Sequence, residues 1–407
     1  MKVCQICKKK ECNELIDFGS HPVCHKFTKG KEKEENFPLA LGQCQFCGLV
    51  QLMSPIPPNK LIPRYDWIKY NEPEEHLDHL VKIISDLPGI TKQAIICGVS
   101  YKEDTILARL NRLGFKNTWR MEKKEDLGIT NSNANLESIQ HHIRSDIVNS
   151  IHQRHGVPDI IIVRHILEHT HDTLEFMLAL KQIVNPSGFI IFEVPDCSKG
   201  FETPDYTTIW EEHALYFTDV TFKMCLGTGG FSLQHFERYN YPFESILIGI
   251  AKTNSNENSL KPFNIDKNVL ANETKRVKFL PKQLANKQNS IRKFLKSFKK
   301  KGRNIAMFGT GHAACMFINL FEIKDLVDFA IDDNSKKKGF YIPGSKIPIY
   351  SSESLSNKKI NLCLLGLSSE SEKKIIKKHQ TFKEGGGVFA SIYPGSKYAI
   401  ESHPIER

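Results

Sequence analysis

A chain of 407 residues is too long for one ordinary hydrophobic core and long enough for two or three. Its 40% hydrophobic and 25% charged residues exclude wholesale disorder, and no apolar run reaches the roughly 18–20 residues that a membrane-spanning helix needs. The net charge of +10 is compatible with an anionic partner such as a nucleotide diphosphate. No recognisable nucleic-acid motif accompanies that charge, so we expect neither nucleic acid nor a membrane among the partners.

The start of the chain, MKVCQICKKKEC, lacks the apolar stretch of a secretory signal. The eleven cysteines are an odd number, and four of them stand in C-x-x-C pairs, which favours metal ligation over a disulfide framework. We therefore predict a cytoplasmic protein.

Residues 1–60 are rich in cysteine, lysine and turn residues, which predicts a small separate domain. The pairs Cys4/Cys7 and Cys44/Cys47 have the spacing of a tetrahedral four-thiolate zinc site, because each pair lets two thiolates reach one ion from a tight turn. Four thiolates leave no open position on the metal, which indicates a structural role, and metal binding then supplies much of the folding free energy. The loop between the pairs holds alternative ligands: Cys12, His21, Cys24 and His25.

Residues 61–255 alternate helical patterns with short apolar runs, as an α/β domain with buried parallel strands does. The clearest runs are Ala94–Cys97, Ile160–Val163 and Phe189–Val194. The carboxyl end of a strand in an open sheet faces the ligand crevice, and His165, Glu168 and His169 follow the second run. They suit acid–base work near neutral pH, and they equally suit the capping of a helix start.

The segment IWEEHALYFT sets Glu212 beside His213 among aromatic residues. An imidazole next to a carboxylate is suited to removing a proton beside a carbonyl group. The same pair also fits an exposed helix start with ordinary polar side chains, so both interpretations stay open from these residues alone.

A polar stretch at Thr253–Asn258 predicts a linker, and residues 256–300 predict a basic helical segment, with its helix over Val269–Lys300. Residues 301–407 then predict a second α/β domain, with strands at Ile305–Phe308, Val327–Ile331 and Leu362–Leu367. Gly309 and Gly311 follow the first of these strands, and Asp332 stands about twenty residues further on. That is the context of a dinucleotide fingerprint, which taken alone suggests NAD binding.

Several motifs occur here in the order seen in sugar C-methyltransferases: the paired cysteines, DIIIVRHILEH, PSGFIIFEVPD, EEHALYFT, CLGTGGF and, near the end, FGTGHAA with IDDNSKKKGFYIPGSKIPI. The chain resembles that family over nearly its whole length. The resemblance implies a zinc domain, a central class I methyltransferase domain and a C-terminal Rossmann-like domain. It also implies methyl transfer from S-adenosylmethionine to carbon 3 of a nucleotide-linked 4-keto-6-deoxy sugar, and it is compatible with a homo-oligomer.

Carried over motif by motif, the resemblance makes His213 the base that removes the C3 proton, with Glu212 beside it. His169, with His165 as a further candidate, is expected to contact the sugar or stabilise the oxyanion. A family tyrosine matches Tyr65 best. The alternative match for that tyrosine is Tyr70.

The resemblance also implies that the third domain helps to form the sugar-nucleotide cleft and has no nicotinamide role. The substrate contacts expected in the second and third domains are Tyr216, Gly309, Gly311 and Lys338.

The match fails at the donor-binding turn, where class I methyltransferases have several glycines that let the backbone approach the cofactor. This chain has IICGVSYKEDTILARL, in which Gly98 remains and bulkier residues replace the following glycines. The expected cofactor contacts are therefore Gly98, Glu122 at the ribose, and Arg164. A family His-Gly-Gly segment is likewise replaced, by Tyr241–Ser245.

These departures leave two rival functions open. An enzyme that formed the same enolate without a methyl donor would return a proton and act as an epimerase or isomerase. A protein that only bound the sugar nucleotide would do neither.

Overall fold

The computed structural model describes residues 2–9, 11–30, 32–67, 73–253, 265–300 and 302–403. The predicted linker beyond Thr253 and the alternative tyrosine Tyr70 lie outside these residues. The strands are β1 (Cys12–Pro22), β2 (Asn36–Cys44), β3 (Val50–Leu52), β4 (Ile96–Gly98), β5 (Thr118–Arg120), β6 (Ile160–Arg164), β7 (Phe189–Asp196), β8 (Leu215–Tyr216), β9 (Phe231–Tyr239), β10 (Ser245–Thr253), β11 (Asn304–Phe308), β12 (Phe329–Ile331), β13 (Ile349–Tyr350), β14 (Ile360–Leu365) and β15 (Val388–Ser391).

Short 3₁₀ turns and α-helices connect the strands. The α-helices are α1 (Pro58–Leu61), α2 (Leu77–Ser85), α3 (Asp104–Arg112), α4 (Leu136–Ile139), α5 (Val148–His155), α6 (Thr173–Ile183), α7 (Ser198–Glu202), α8 (Asp219–Thr228), α9 (Lys267–Val277), α10 (Leu280–Lys299), α11 (His312–Leu320), α12 (Ser354–Asn357), α13 (Ser369–Lys378) and α14 (Gln380–Glu384). Among the residues described, no helix is long and apolar enough to span a bilayer.

The N-terminal sheet has the order β1-β2-β3-β8, so it takes its last strand from the central part of the chain. Val50 pairs with Tyr216 and Gln51 with Leu215, both antiparallel. The turn that carries Glu212 and His213 is therefore anchored to the N-terminal sheet only two residues further on.

The central sheet has the order β5-β4-β6-β7-β10-β9. Strands β4 to β7 are parallel, and β10 runs antiparallel to both of its neighbours. The parallel strands are apolar because helices cover both faces of the sheet. This arrangement confirms the predicted class I methyltransferase-like domain.

The C-terminal sheet has the order β13-β12-β11-β14-β15, and all its strands are parallel. This is the doubly wound Rossmann-like arrangement, in which ligands bind outside the carboxyl ends of the strands. Gly309, Asp332 and Gly366 follow the ends of β11, β12 and β14, and they therefore share one edge of the sheet.

The predicted basic helix is two helices, α9 and α10. In α10, Ile291, Phe294, Leu295 and Phe298 recur at the spacing of one helix face and are buried. They belong to an apolar cluster that also includes residues of the N-terminal and C-terminal sheets. Helix α10 thus packs against both of these sheets.

Candidate functional site

The four predicted zinc ligands converge on one point. The Sγ atoms of Cys4 and Cys47 lie 3.6 Å apart, as do those of Cys7 and Cys44. Zn–S bonds of about 2.3 Å in a tetrahedron put the sulfurs about 3.8 Å apart, whereas a disulfide needs about 2.05 Å. The four thiols therefore fit a zinc ion and not two disulfides.

Two matching turns present these thiols. The Lys8 N–H donates to the Cys4 carbonyl at 3.1 Å and the Gly48 N–H to the Cys44 carbonyl at 2.9 Å. Both donor residues have a left-handed backbone, with φ of 57° and 76°. The alternative ligands point elsewhere, since the Cys12 thiol contacts Met53 and the His21 ring bonds the Phe18 carbonyl.

A cavity of about 770 Å³ lies where the three sheets meet. The N-terminal part contributes Cys24, His25 and Phe27, and the central domain contributes Trp210 and the Tyr241–Glu244 segment. The C-terminal domain contributes the strand-end residues: Gly309, Thr310, Gly311, His312, Asp332, Asn334, Lys336, Lys337, Gly366 and Ser368. The cavity opens at the strand ends of the C-terminal sheet, whereas His165, Glu168 and His169 at the end of β6 are not among its described lining residues.

The Gly309 turn is built tightly. Gly309 has φ of 99°, and a Cβ there would lie 2.4 Å from the Gly366 carbonyl oxygen, so no other residue fits. Thr310 Oγ1 donates to Asp332 Oδ2 at 2.5 Å, and Lys337 Nζ donates to the same oxygen at 2.8 Å. The acid that would hold an NAD ribose is therefore already engaged, which argues against the dinucleotide interpretation.

The lysine at this wall differs from the one expected. Lys338 is exposed and does not line the cavity, whereas the buried Lys337 does. The 3₁₀ turn at Ser335–Lys337 rotates the second of these adjacent lysines outward. Lys337 thus lines the cavity where Lys338 was expected, with its ammonium group paired to Asp332 at 2.8 Å.

His213 lies with the predicted residues at the strand ends. Its ring centroid is 4.7 Å from that of His169, whose Nδ1 donates to the Glu212 carbonyl at 3.0 Å. Burial, with His169, His312 and His165 nearby, holds the pKa of His213 well below its ordinary value. The imidazole is therefore neutral, and the same burial weakens it as a base in this arrangement.

Trp210 stands between His213 and the cavity. Its ring is stacked on His213 at 5.0 Å and on His312 at 3.9 Å between centroids. Trp210 and His312 line the cavity, whereas Glu212 and His213 are not among its described lining residues. A substrate in the cleft reaches His213 only if the indole moves.

Tyr216 does not face the substrate as expected. It is 1% exposed, and its hydroxyl donates to the Trp210 carbonyl at 2.7 Å and accepts from the Trp210 N–H at 3.2 Å. Tyr216 therefore holds the Trp210 loop in place.

Tyr65 is likewise not among the described residues that line the cavity. Its ring stacks on Trp67 at 4.0 Å and meets the edge of Phe340 at 5.4 Å. It packs the N-terminal part against the C-terminal domain, and Trp67 is the aromatic residue that reaches the cleft.

His165 is held in a left-handed backbone conformation, with φ of 53°, which a residue with a side chain rarely adopts. Its Nε2 lies 3.0 Å from Glu193 Oε1, and its Nδ1 lies 3.5 Å from Glu168 Oε1. Burial opposes the charged form, but these two carboxylates raise the pKa of His165 to about 9. His165 is therefore a buried imidazolium.

The turn after β4 is occupied by the chain's own side chains. The Glu103 carboxylate accepts from the Ser100 N–H at 2.5 Å, the Ser100 hydroxyl at 2.8 Å and the Arg164 N–H at 2.7 Å. A Cβ on Gly98 would lie 2.6 Å from the Glu103 Cβ. Glu103 therefore packs directly over Gly98, the one glycine that remains in the donor-binding turn.

The other two expected cofactor contacts differ in their availability. Arg164 is 1% exposed and is fully engaged by Glu193 and by the Lys102 carbonyl, so it cannot reach a cofactor in this arrangement. Glu122 lies two residues after the end of β5 and is exposed, with Arg120 at 3.8 Å. Its position at the end of the second strand is the one expected for a ribose ligand.

Glu244 lines the cavity, and no role was predicted for it from the sequence. It lies in the segment that replaces the family His-Gly-Gly. Burial raises the pKa of Glu244 to about 7, with His165 acting in the opposite direction. A carboxylic acid with such a pKa exchanges protons readily at neutral pH.

Three family models match this chain. They are a putative zinc binding domain over residues 4–61, a methyltransferase domain over residues 98–235 and a C-methyltransferase C-terminal domain over residues 254–394. A curated relative, the C-methyltransferase NovU of Streptomyces niveus, is 21% identical over 406 residues, covering 96% of this chain and 95% of its own length.

Solved methyltransferase structures are similar to less than half of the chain. The Burkholderia thailandensis 1,6-didemethyltoxoflavin-N1-methyltransferase, with bound 1,6-didemethyltoxoflavin and S-adenosylhomocysteine, is 11% identical, with a TM-score of 0.30, over 44% of this chain and 80% of that one. A putative methyltransferase of Bacillus halodurans is 12% identical, with a TM-score of 0.30, over 44% of this chain and 99% of that one.

Proposed function

Because this chain belongs to the C-methyltransferase family with zinc-binding, methyltransferase and C-terminal domains, we propose that it acts on a nucleoside-diphosphate-linked 4-keto-deoxysugar in the three-sheet cleft. The cavity of about 770 Å³ is large enough for a ligand of this class. Lys336, Lys337 and the start of α13 at Ser368 line one wall. Cationic side chains and helix N–H groups suit a diphosphate.

The proposed first step is removal of the proton on the carbon next to the ketone. His213 is neutral and takes this proton when Trp210 turns away from it, and the electron pair moves onto the ketone oxygen as an enolate. The Glu212 carboxylate lies 3.8 Å from His312 Nδ1 and 3.9 Å from His25 Nε2. We assign stabilisation of the oxyanion to His169, whose ring lies 4.7 Å from that of His213, with the imidazolium of His165 as the further candidate.

S-adenosylmethionine, when bound, supplies the methyl group that the family adds to such a carbon. The residues that face its expected position are Gly98 and Glu122. Methyl transfer in this chain therefore requires Glu103 to leave the space over Gly98.

A second candidate function follows from the same two observations. With Glu103 over Gly98 the enolate has no methyl donor beside it, and Glu244 lines the cavity with a pKa raised to about 7. An acid in that state can return a proton to the enolate, which would make the protein an epimerase or isomerase of the keto sugar.

The position of His213 directly behind Trp210, whose other stacked partner His312 lines the cleft, is the observation that carries the proposal. The test is incubation of the protein with a nucleotide-linked 4-keto-6-deoxy sugar in D₂O, with and without labelled S-adenosylmethionine. Deuterium at C3 without the donor supports enolate formation and proton return, and label at C3 supports methyl transfer. Recovery of the sugar nucleotide with neither deuterium nor methyl label contradicts both functions. That result would favour a protein that only binds the sugar.

A further inference from the structure

We propose that Cys24, Glu211 and His312 form a second zinc site, separate from the four-cysteine centre, with an open coordination position that faces the cleft. One ligand atom from each of the three residues lies within 4.8 Å of the other two. The closest pair is Glu211 Oε2 and His312 Nε2 at 3.2 Å. Tetrahedral zinc with bonds of about 2.0–2.3 Å places its ligand atoms about 3.3–3.8 Å apart, so small movements complete the site.

Unpartnered polar atoms point into this site. Glu211 Oε2 and His312 Nε2 are buried and make no hydrogen bond within the described residues, although they lie close together. The same holds for both ring nitrogens of His25, which lines the cavity beside Cys24. Buried polar atoms rarely lack partners, and a cation between them gives Glu211 and His312 a common one.

An ordinary ion pair explains this arrangement less well. The 3.2 Å contact between Glu211 and His312 lacks the alignment of a hydrogen bond, and the Cys24 thiol reaches the same Glu211 carboxylate as well as the Cys315 thiol. A shared metal ion accounts for the meeting of a thiol, a carboxylate and an imidazole that come from three distant parts of the chain.

The surroundings hold the ligands in place. The Cys24 N–H donates to Glu211 Oε1 at 2.7 Å, which leaves Oε2 for the metal. The His312 ring is stacked on Trp210 at 3.9 Å and hydrogen-bonded to the Ile209 backbone. Hydrogen bonds to the second atom of a ligand group are usual around protein-bound metals.

The three ligand types indicate that the metal is zinc and that its role is catalytic rather than structural. Thiolate, imidazole and carboxylate are all zinc ligands, and three protein ligands with one open position are typical of catalytic sites, whereas four thiolates are structural. Cys24 and His312 both line the cavity, so the open position is available to an oxygen atom of a bound molecule. That this oxygen is the ketone of a keto sugar rests on the proposed function, whereas the metal site does not.

The test is a metal count on the full-length protein, reconstituted with Zn²⁺ and freed of excess metal by gel filtration. We expect two zinc ions per wild-type chain by elemental analysis and one in each of the variants Cys24→Ala and His312→Ala. Cys225→Ala is the matched control and should keep both ions, because that thiol is buried against Met177 away from the cleft.

Reconstitution with Co²⁺ gives a measurement that needs no variant to fold. The wild type should bind two equivalents, the second with a spectrum distinct from that of a four-thiolate centre. One metal ion per wild-type chain overturns the proposal, and so do two ions retained in both folded variants. Because no substrate is involved, failure of the sugar assignment would leave these counts unchanged.

Discussion

The Arg164 guanidinium forms a two-pronged ion pair with the Glu193 carboxylate inside the protein, with Nε–Oε2 at 2.8 Å and Nη2–Oε1 at 3.0 Å. His76 and His165 contact the same carboxylate at 3.1 and 3.0 Å. Arg164 ends β6 and Glu193 lies in β7, so the pair ties together the strand ends that carry the candidate site. It also supports the turn that closes over Gly98, because Glu103 accepts the Arg164 N–H.

Glu193→Gln should destabilise the protein strongly. The substitution removes the closest counter-charge of Arg164 and His165 and leaves Glu74 and Glu168 at 3.4 and 3.5 Å, and breaking a buried pair in this way typically costs about 3–5 kcal/mol. The check is the free energy of unfolding in urea. Lys60→Ala removes the exposed ion pair with Glu35 and should cost less than about 1 kcal/mol. Equal losses of unfolding free energy in the two variants would mean that the buried network stabilises the protein no more than an exposed ion pair does.

His165 should make stability depend on pH. Its pKa is raised from 6.5 to about 9 in the folded protein, so its contribution is fully present below pH 6.5 and is lost as the pH rises through about 9. The full shift corresponds to roughly 3 kcal/mol at most.

The measurement is urea unfolding from pH 6 to pH 10 for the wild type and for His165→Gln. Lys102, Glu103 and Glu244 also have pKa values near 7 in the folded state, so the difference between the two profiles is the informative quantity. The wild type should lose its advantage over the variant between pH 6.5 and 9. An advantage that is constant over this range would contradict the buried imidazolium.

Cys44→Ser should lower soluble yield and remove the metal of the N-terminal centre, because a three-thiolate remnant binds zinc less well and the domain depends on metal for folding. The check is zinc content and solubility beside Cys363→Ser, which changes a buried thiol in the C-terminal sheet. Unchanged zinc content in soluble Cys44→Ser would exclude the four-cysteine site.

Residue spacing along the chain was enough to predict the parts of this fold that depend on local sequence. Two C-x-x-C turns predict the four-thiolate centre because each turn presents its own pair of ligands, and apolar runs predict β6, β7 and β11 because buried parallel strands are continuous in apolar residues. The strand-end position of His165 and His169 follows from the same logic.

Contacts between residues that are distant in the chain could not be predicted from residue spacing. Nothing in the sequence indicates that His312 meets Glu211 and Cys24, since these residues are far apart in the chain and converge only when three sheets assemble. Which of the two adjacent lysines, Lys337 or Lys338, lines the cavity depends on the geometry of one 3₁₀ turn. That Trp210 separates His213 from the cleft depends on how one indole packs.

Glu103→Ala should tighten the binding of S-adenosylmethionine. In the wild type the donor must displace a carboxylate that accepts three hydrogen bonds, and net costs of about 1 kcal/mol per bond imply a gain of at least roughly tenfold when the carboxylate is removed. Titration calorimetry measures this. Glu122→Gln should instead weaken any binding, as the loss of a ribose contact does. Affinity for Glu103→Ala equal to or below that of the wild type would show that Glu103 does not obstruct the donor.

The central claim is that His213 takes a proton from the carbon next to a sugar ketone, and its most direct test is the rate of C3 deuterium incorporation from D₂O into a nucleotide-linked 4-keto-6-deoxy sugar. His213→Ala should lower this rate by at least about 10²-fold, while His171→Ala, a nearby histidine outside the cleft, should retain most of it. An exchange rate in His213→Ala equal to that of the wild type would contradict the account.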